Sequence, residues 1–536
     1  MTAHRGWARA AEGRLVIPVS TLGRFFGKSM LGFVMVTGML VLYGLVRVNQ
    51  ATPSGMGLGG DSYSYVTAAD NLAAGIGFGR LNGYGELVPT THYPPFYPTA
   101  MAGLQILGVD KLESARWVNL VAFTALVFFA GFILRRETGS NYPAFAGAAI
   151  LATSTVVFNV SVWAMTETLY IALGLAGILA LSLYLERTNR RLLLLAAVII
   201  SLGFLTRYVG IALVGTALVA LLGQKAGWRR RLGDGVLLLA VGLLPVVLWW
   251  IRNASLTGNF ANRRIIWHPV TFDHLRSLTL HFVEWFVPSE FIRGGIYAAG
   301  WLLLLGALAG AILLRMRAAG KLTHRFRRGG TPFLLVLYSG LFVIAVGASL
   351  SLFDPFTPVG NRILSPVFVS AMLLAVFLAW NVWALQGRPA RAAMLAGLIF
   401  ILAWNGLSQA KLAESYGFYG LGNAAPSIGQ SQTVTAVRGL PEVPIVSNGI
   451  SRLYFWADRN SFAIPWLIDL ETEQRDPAYE ENLSIMRRRL CQEGGYLVLF
   501  GPENLVPQQA PLSDLTEGLT LHGDYPDGEI YSCAQG

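Results

Sequence analysis

The sequence predicts a polytopic α-helical membrane protein of about eleven transmembrane helices, with a large first external loop and a small C-terminal α/β domain outside. Three observations lead to this fold class. Hydrophobic residues make up 54% of the 536 residues and charged residues only 13%, about half the charged share of a soluble domain. Apolar runs long enough to cross a bilayer recur between residues 29 and 409. From residue 410 onward the composition becomes that of a folded soluble domain.

The chain begins with a basic tail, residues 1–28, which we expect in the cytoplasm. An apolar run over about 29–48 follows, and roughly 20 such residues cross a bilayer of about 30 Å. No small-residue cleavage site comes after this run, so it predicts a retained anchor and not a cleaved signal peptide. The next segment, the first external loop at 49–116, then lies outside the cytoplasm.

Ten further apolar runs complete a predicted transmembrane domain over residues 29–409. They lie near 117–134, 143–161, 166–185, 191–206, 209–223, 233–251, 294–314, 332–352, 363–380 and 391–407. With eleven crossings, every basic cluster beside a span falls on the cytoplasmic side, as membrane topology requires. These clusters lie at 135–136, 187–191, 225–231, 315–328 and 388–391. The net charge of +11 therefore reflects membrane topology, and we expect no nucleic-acid partner.

The first external loop carries the strongest signs of a site. Asp61 follows two glycines, and apolar residues at helical spacing then predict a short helix over 65–74 that lies on the membrane. The sequence His-Tyr-Pro-Pro-Phe-Tyr-Pro at 92–98 predicts a stiff aromatic turn. An acid at a membrane exit, an interfacial helix and a rigid turn together indicate an active site at the membrane surface.

Two residues of this loop have alternative interpretations. Asp61 stands before a helix and is a good candidate N-cap that accepts backbone N–H bonds; it is equally a candidate catalytic carboxylate. His92 could bind phosphate, bind a metal or simply pack. No His, Cys and Asp cluster has the spacing of metal ligands, so we predict no dedicated metal site.

Three charged residues lie at predicted helix ends on the same side of the membrane as Asp61. They are Glu167 in Thr-Glu-Thr-Leu-Tyr, Arg207 in Leu-Thr-Arg-Tyr, and Arg362 in Asn-Arg-Ile-Leu-Ser-Pro. Each has two explanations. It is either a snorkelling residue or part of a structural ion pair at a helix end, or it is a functional group. The second explanation arises because a charge near the membrane is costly and therefore suggests a function. The face shared with Asp61 favours function.

A second external loop is predicted at 253–293. Its Trp, Phe and His content is typical of a segment at the membrane interface. It is either a plain amphipathic connector, or a lid or acceptor-side wall.

The C-terminal domain, residues 410–536, carries 8 Lys and Arg against 16 Asp and Glu. Apolar runs predict strands at 443–447, 496–500 and 529–533, and a helix at 480–490. The only two cysteines, Cys491 and Cys533, both lie here. Outside the cytoplasm a disulfide is plausible, and two free buried thiols are the alternative.

In order and spacing, these motifs resemble the membrane-embedded glycosyltransferases of the C superfamily. The likeness is to glycosyltransferase family 39 in the broad sense, the protein O-mannosyltransferase and aminoarabinose-transferase type. It rests on Asp61, the helix at 65–74 and the Tyr-Pro-Pro at 93–95, together with Glu167 and the Arg362 motif. Eukaryotic protein mannosyltransferases have an adjacent Asp-Glu pair, whereas Ser62 follows Asp61 here. The resemblance therefore supports the superfamily better than it supports protein as the acceptor.

The resemblance implies an inverting transfer of a sugar from a polyprenyl-phosphate donor to an acceptor hydroxyl at the outer membrane face. Asp61 would be the general base. The remaining implied site residues are Arg362, Arg207 and His92 for the phosphate, and Tyr63, Tyr93, Tyr97 and Glu167 for substrate.

We expect as partners the lipid-linked sugar, membrane lipid and a glycan, lipid or protein acceptor. No cofactor is predicted, and a divalent cation stays open. The alternative is a polytopic transporter or flippase without transferase activity, although the sequence shows no internal repeats. An oligosaccharyltransferase-like member is disfavoured, because Ile251 follows Trp249 and Trp250 where that type has Trp-Trp-Asp.

Overall fold

The computed structural model describes residues 29–260, 263–287, 292, 295–318, 329–353 and 357–533. The predicted cytoplasmic tail, parts of the second external loop and most of the basic cluster at 315–328 lie outside the described residues.

Fifteen helices are described between residues 29 and 419. In chain order they are α1 (Met30–Ala51), α2 (Gly60–Ala73), α3 (Phe96–Ile106), α4 (Lys111–Thr138), α5 (Asn141–Thr153), α6 (Thr155–Ser161), α7 (Glu167–Arg187), α8 (Arg190–Phe204), α9 (Ile211–Leu222), α10 (Trp228–Thr257), α11 (Phe272–Glu284), α12 (Gly295–Ala318), α13 (Thr331–Leu352), α14 (Asn361–Trp383) and α15 (Arg388–Tyr419). A 3₁₀ turn, Tyr208–Gly210, leads into α9. Within the described residues, eight helices are long and apolar enough to cross a membrane: α1, α4, α7, α10, α12, α13, α14 and α15. The chain is therefore a multi-pass membrane protein.

The other three predicted spans form helices that are bent or short. The stretch 143–161 forms α5 and α6, which meet at an angle of 56°. Ser154 ends α5 and caps α6, because its hydroxyl accepts the backbone N–H groups of Val156 and Val157. Helices α8 and α9 have 15 and 12 residues, about 22 and 18 Å at 1.5 Å per residue. Counting the bent pair as one span gives up to nine spans in the described chain, and eleven crossings stay a prediction.

Contacts between helix ends define two ends of the bundle. At the far end, Asn141 donates to the carbonyl of Ser29, and Arg136 donates to Thr331. The site end holds Asp61, Glu167, Arg207 and Arg362, which hydrogen bonds and ion pairs join into one cluster. Four distant stretches of sequence thus meet because each lies at a helix end on this side of the bundle.

The first loop is folded against the site end. It contains α2, the hairpin of β1 (Gly79–Leu81) and β2 (Leu87–Pro89), the aromatic turn and α3. Helix α2 packs on α3 through Tyr65, Tyr97 and Met101, which are all buried. Arg252 on α10 fixes the hairpin by donating to the carbonyls of Thr90 and Phe78.

The C-terminal part contains a five-stranded mixed sheet with strand order β4-β3-β7-β9-β8. Its strands are β3 (Ile445–Ser447), β4 (Phe462–Ala463), β7 (Tyr496–Phe500), β8 (Leu519–Tyr525) and β9 (Gly528–Cys533), and a separate pair is β5 (Ile468–Asp469) with β6 (Gln474–Arg475). Its helices are α16 (Pro426–Gly429), α17 (Gln432–Arg438), α18 (Ile450–Arg452), α19 (Tyr479–Cys491) and α20 (Leu512–Thr516). Strand β3 pairs in parallel with β4 and β7, whereas β9 pairs antiparallel with β7 and β8.

A disulfide joins Cys491 at the end of α19 to Cys533 at the end of β9, with Cα atoms 5.1 Å apart. Of the two alternatives that the sequence left open, the structure has the bonded pair.

The C-terminal part contacts the first loop directly. The hydroxyl of Tyr454 donates to Asp70 on α2 at 2.6 Å, and Tyr84 at the tip of the β1–β2 hairpin donates to Glu493 at 2.9 Å. The backbone of Leu58 donates to the carbonyl of Leu421. The first loop is therefore held between the helical bundle and the C-terminal part.

Candidate active site

The helix that carries Asp61 begins five residues earlier than the sequence predicts. Gly59 is the N-cap of α2, and its backbone N–H donates to the hydroxyl of Ser62 at 3.1 Å. This bond stabilises a start at Gly60, which a Gly-Gly sequence alone does not favour. Asp61 is thus the second residue of the helix, and the interpretation of Asp61 as the N-cap is wrong. Its carboxylate makes other contacts.

The Asp61 carboxylate is bound by one hydroxyl and one guanidinium. Oδ1 accepts a hydrogen bond from the hydroxyl of Tyr93 at 2.8 Å, and Oδ2 pairs with Nη2 of Arg362. Burial by itself raises the pKa of Asp61, but the charge and hydrogen bond of Arg362 and the Tyr93 hydroxyl outweigh burial and hold this pKa below its usual value. Asp61 is therefore ionised at neutral pH and can accept a proton.

Glu167 is the buried centre of the cluster. As the first residue of α7, its Oε1 accepts from Nε of Arg362 at 2.7 Å and from Nη1 of Arg207 at 2.5 Å. Nη1 of Arg207 also donates to the hydroxyl of Thr166 at 2.9 Å. The Glu167 side chain is only 1% exposed, and a buried carboxylate is tolerated when cations neutralise it. Two carboxylates and two guanidiniums thus form a charge-balanced cluster.

Exposure divides the cluster into an inner and an accessible pair. Glu167 and Arg207 are 1% and 16% exposed, whereas Asp61 and Arg362 are 30% and 45% exposed. The aromatic turn is fixed to the segment of Arg207, because the backbone N–H of Phe96 donates to the carbonyl of Leu205 at 2.9 Å. The inner pair is therefore suited to holding Arg362 in position, and the accessible pair to contact with the reacting groups of a substrate.

A cavity of about 460 Å³ opens beside the accessible pair. Asp61, Glu167 and Arg362 line its polar side, together with Asn361. Its remaining wall is formed mainly by apolar side chains at the bend between α5 and α6 and the turn before α7: Val156, Val160, Trp163 and Met165. The volume lies within the range of about 300–1,000 Å³ for small-molecule sites. Among the described residues, no group of three or more His, Cys, Asp or Glu side chains is placed to hold a metal ion.

The structure brings five of the eight sequence-predicted site residues into one cluster: Asp61, Tyr93, Glu167, Arg207 and Arg362. His92 lies next to it, with its ring edge-on to Tyr93 at 4.8 Å and its Nε2 2.8 Å from Nη2 of Arg263.

Tyr63 and Tyr97 lie elsewhere. Two residues beyond Asp61, Tyr63 faces the C-terminal part and its ring contacts Tyr454 and Phe455. Tyr97 is completely buried and donates to Asn119 at 3.2 Å. These two tyrosines pack the first loop, and neither is among the residues that line the cavity.

Sequence reasoning missed Tyr65, Trp163, Thr166 and Arg263. The ring of Tyr65 packs edge-on against Tyr93 at 5.0 Å and keeps that side chain in place. Trp163 and Thr166 belong to the same turn as Glu167, so an aromatic and a hydroxyl residue just before a helix-end acid were the available signal. Arg263 had no signal, because its contact with His92 depends on the path of a loop that lacks helical or strand periodicity.

Comparison with known proteins bears on both the family and the fold. Residues 92–250 match the family described as dolichyl-phosphate-mannose-protein mannosyltransferase. This region includes Tyr93, Glu167 and Arg207 and excludes Asp61 and Arg362. No curated protein matches the sequence significantly.

Among solved structures, the chain is similar to ArnT from Cupriavidus metallidurans bound to undecaprenyl phosphate. The two share 14% sequence identity and a TM-score of 0.56, over 95% of this chain and 99% of that chain. The apo oligosaccharyltransferase of Archaeoglobus fulgidus gives 13% identity and a TM-score of 0.52, over 95% and 75%. The arabinofuranosyltransferase AftD from Mycobacteria shares 14% sequence identity with this chain. Its TM-score is 0.52, over 94% of this chain and 42% of that chain.

At these identities the structural likeness concerns the fold, and it extends over nearly the whole chain. The family match adds sequence support within the bundle. The resemblance inferred from the sequence is confirmed: the chain is a multi-pass membrane protein with the fold of the C superfamily of membrane glycosyltransferases.

Proposed function

We propose that this protein transfers a sugar from a polyprenyl-phosphate donor to an acceptor hydroxyl, with inversion at the anomeric carbon. The observation that carries the proposal is the ion pair between Asp61 and Arg362 at the edge of a cavity. A carboxylate that can accept a proton there lies beside a guanidinium that can bind phosphate, and this transfer requires both groups. Glycosyltransferases with this fold, one of them bound to undecaprenyl phosphate, support the proposal.

The ion pair itself suggests how the sugar donor activates the base. A phosphate that binds Arg362 competes with Asp61 for the guanidinium, which can bind two oxygens of a phosphate or a carboxylate at once. Once the phosphate has taken Arg362, burial raises the pKa of the Asp61 carboxylate and makes it a stronger base. Asp61 thus becomes a stronger base only when the sugar donor is bound, which limits activation of water and hydrolysis of the donor.

The transfer then proceeds in a single displacement. The acceptor hydroxyl gives its proton to Asp61 while its oxygen attacks the anomeric carbon from the side opposite the phosphate. The bond between the anomeric carbon and the phosphate oxygen breaks, and its electron pair stays on the phosphate. Arg362 stabilises the charge that develops there, the kind of preorganised electrostatic stabilisation that usually contributes most to catalysis.

Glu167 and Arg207 hold Arg362 in position. Glu167 bonds both guanidiniums through Oε1, so Arg362 keeps one carboxylate partner when Asp61 is released. Arg207 is the more buried of the two cations, and we assign it to orienting Glu167, with His92 beside Tyr93 as a further group near the phosphate. We place the site end outside the cytoplasm because the basic clusters at 187–191 and 225–231 lie towards the far end.

A transporter is not favoured. The site end carries a charge-balanced cluster beside a cavity, and the structural likeness to glycosyltransferases extends over almost the whole chain.

The proposal is tested by sugar transfer in native membranes, which supply the acceptor. Membranes with wild-type protein should move radiolabelled sugar from polyprenyl-phosphate donors into material other than the donor lipid. Arg362→Ala should lower the rate roughly 10²-fold or more, the scale of a lost oxyanion contact. Arg47→Ala is the matched control, because Arg47 lies in the last turns of α1 and contacts Gln50 and Tyr43. Equal rates for wild type and a well-folded Arg362→Ala protein would contradict the phosphate role of Arg362.

A further inference from the structure

Trp163 and its two neighbours are fixed at the cavity by two separate segments of the chain, around Gly57 and around Asn119. The backbone N–H of Gly57 donates to the carbonyl of Val162, and that of Ala164 donates to the carbonyl of Gly57, both at 2.9 Å. The carbonyl of Trp163 accepts from Nδ2 of Asn119 at 2.6 Å. Asn119 is in turn bound by the buried Tyr97. Hydrogen bonds to Trp163 and to both of its neighbours therefore fix this turn.

The indole ring is held as closely as its backbone. A Cβ atom at Gly57 would lie 2.6 Å from Cδ2 of the ring, and one at Gly422 would lie 2.9 Å from Cζ3. Both positions therefore need glycine for the backbone to approach the ring. Gly422 also has φ of +58°, which glycine adopts at little cost. The ring is nevertheless partly exposed and lines the cavity.

One atom of a second residue that lines the cavity lacks a partner. Oε2 of Glu167 is buried and accepts no hydrogen bond within the described part of the chain, while Oε1 is occupied by both guanidiniums. An unsatisfied buried carboxylate oxygen is costly, because it has lost its hydration without gaining a hydrogen bond in return. A hydroxyl of a bound molecule would satisfy it.

We infer that Trp163 is a stacking platform for the sugar ring of the lipid-linked donor, and that Oε2 of Glu167 accepts a hydroxyl of that ring. This inference rests on the proposed function and adds to it the residue that recognises the sugar itself. The apolar C–H face of a sugar ring packs on an aromatic face, while its hydroxyls need acceptors. The cavity offers both, next to the Arg362 that we assign to the phosphate.

The platform separates recognition of the sugar from recognition of the lipid phosphate, so the two can be measured independently. Purified protein in lipid nanodiscs is titrated with undecaprenyl phosphate and with undecaprenyl phosphate that carries one glucose, mannose or arabinose. Wild-type protein should bind at least one sugar-bearing lipid more tightly than the bare lipid phosphate. Trp163→Ala should weaken that binding roughly tenfold, about 1.4 kcal/mol, while the affinity for bare undecaprenyl phosphate stays unchanged.

Two further variants control for folding. Trp163→Phe keeps an aromatic face and should restore most of the preference for the sugar-bearing lipid. Trp404→Ala removes a tryptophan that is 58% exposed on α15 and should bind both lipids like wild type.

The outcomes separate this inference from the proposed function. Equal loss of affinity for both lipids in Trp163→Ala, or unchanged affinity for both, would overturn the platform while the lipid-phosphate donor still stands. Wild-type protein that binds neither lipid would contradict the proposed donor and the platform together.

Discussion

At the scale of single residues, the proposed chemistry depends on how the proton affinity of Asp61 is set. Arg362 and Tyr93 lower the pKa of this carboxyl against the effect of burial. An ionised but weakly basic carboxylate is a good resting state, because it is ready to accept a proton yet stays paired until a substrate anion competes for Arg362. The hydrogen bond from Tyr93 tunes this balance without adding charge.

This balance predicts a pH dependence that can be measured. Tyr93→Phe removes a hydrogen bond that lowers the pKa of Asp61, so this pKa should rise. Activity that requires ionised Asp61 is present above its pKa and is lost as pH falls through it. The acidic limb of the kcat/KM profile, which reports the free enzyme, should therefore move to higher pH in Tyr93→Phe than in wild type. Tyr142→Phe, on α5 at the far end, serves as the control. An unshifted or lower limb in Tyr93→Phe would show that Tyr93 does not set the pKa of the base.

At the scale of elements, the C-terminal part acts on the helix that carries Asp61. Tyr454 donates to Asp70 on α2, its ring packs on Tyr63, and Lys111 at the start of α4 lies over that ring at 4.8 Å. These contacts join three elements at one tyrosine. Helix α2 therefore owes part of its position to a segment that follows it by almost four hundred residues.

Removing a single hydroxyl tests this coupling. Tyr454→Phe keeps the ring and loses the bond to Asp70, so α2 should be held less firmly and sugar transfer should fall severalfold. Tyr479→Phe is the matched control, because Tyr479 donates to Asp514 at the same distance of 2.6 Å within the C-terminal part. Tyr479→Phe should lower thermal stability and leave the transfer rate per folded molecule near wild type. If both variants transfer equally well, the C-terminal part does not position α2.

Element boundaries also show what the sequence could and could not predict. Strand β7 has the predicted bounds, because a continuous apolar run between polar turns has few alternatives. The two-residue strands β4, β5 and β6 show no periodicity that a pattern could reveal. The start of α2 was missed because it depends on one hydrogen bond, which the backbone N–H of Gly59 donates to the hydroxyl of Ser62. Glu167, Arg207 and Arg362 were predictable as a group, since helix ends on one face of a membrane lie near each other, but their pairing was not.

At the scale of the whole molecule, the bundle places the charged cluster around Glu167 and the C-terminal part at one end. Helix α15 has 32 residues, about 48 Å at 1.5 Å per residue, which exceeds a bilayer core of about 30 Å. Its last turns therefore rise beyond the apolar layer and lead directly into the contacts between Leu421, Gly422 and the first loop. A long final helix thus delivers a folded part to the site end.

This arrangement predicts that the C-terminus lies outside the cytoplasm. A topology reporter fused after Gly536 should report the outer side, and one inserted after Lys321 should report the cytoplasm. If both reporters indicate the same side, the number of crossings between the two positions is not odd. That result would also contradict the proposed outer location of the site.

The most direct test of the central claim is sugar transfer by Asp61→Asn in membranes. Asparagine keeps the size and hydrogen-bonding oxygen of Asp61 but cannot take the proton of the attacking hydroxyl. We expect Asp61→Asn to fold and to bind undecaprenyl phosphate at least as well as wild type, because Arg362 loses a competing carboxylate, while transfer falls roughly 10²-fold or more. Glu113→Gln, an acid-to-amide change on the first turn of α4, should transfer normally. Wild-type transfer by Asp61→Asn would show that Asp61 is not the base, and would contradict the mechanism.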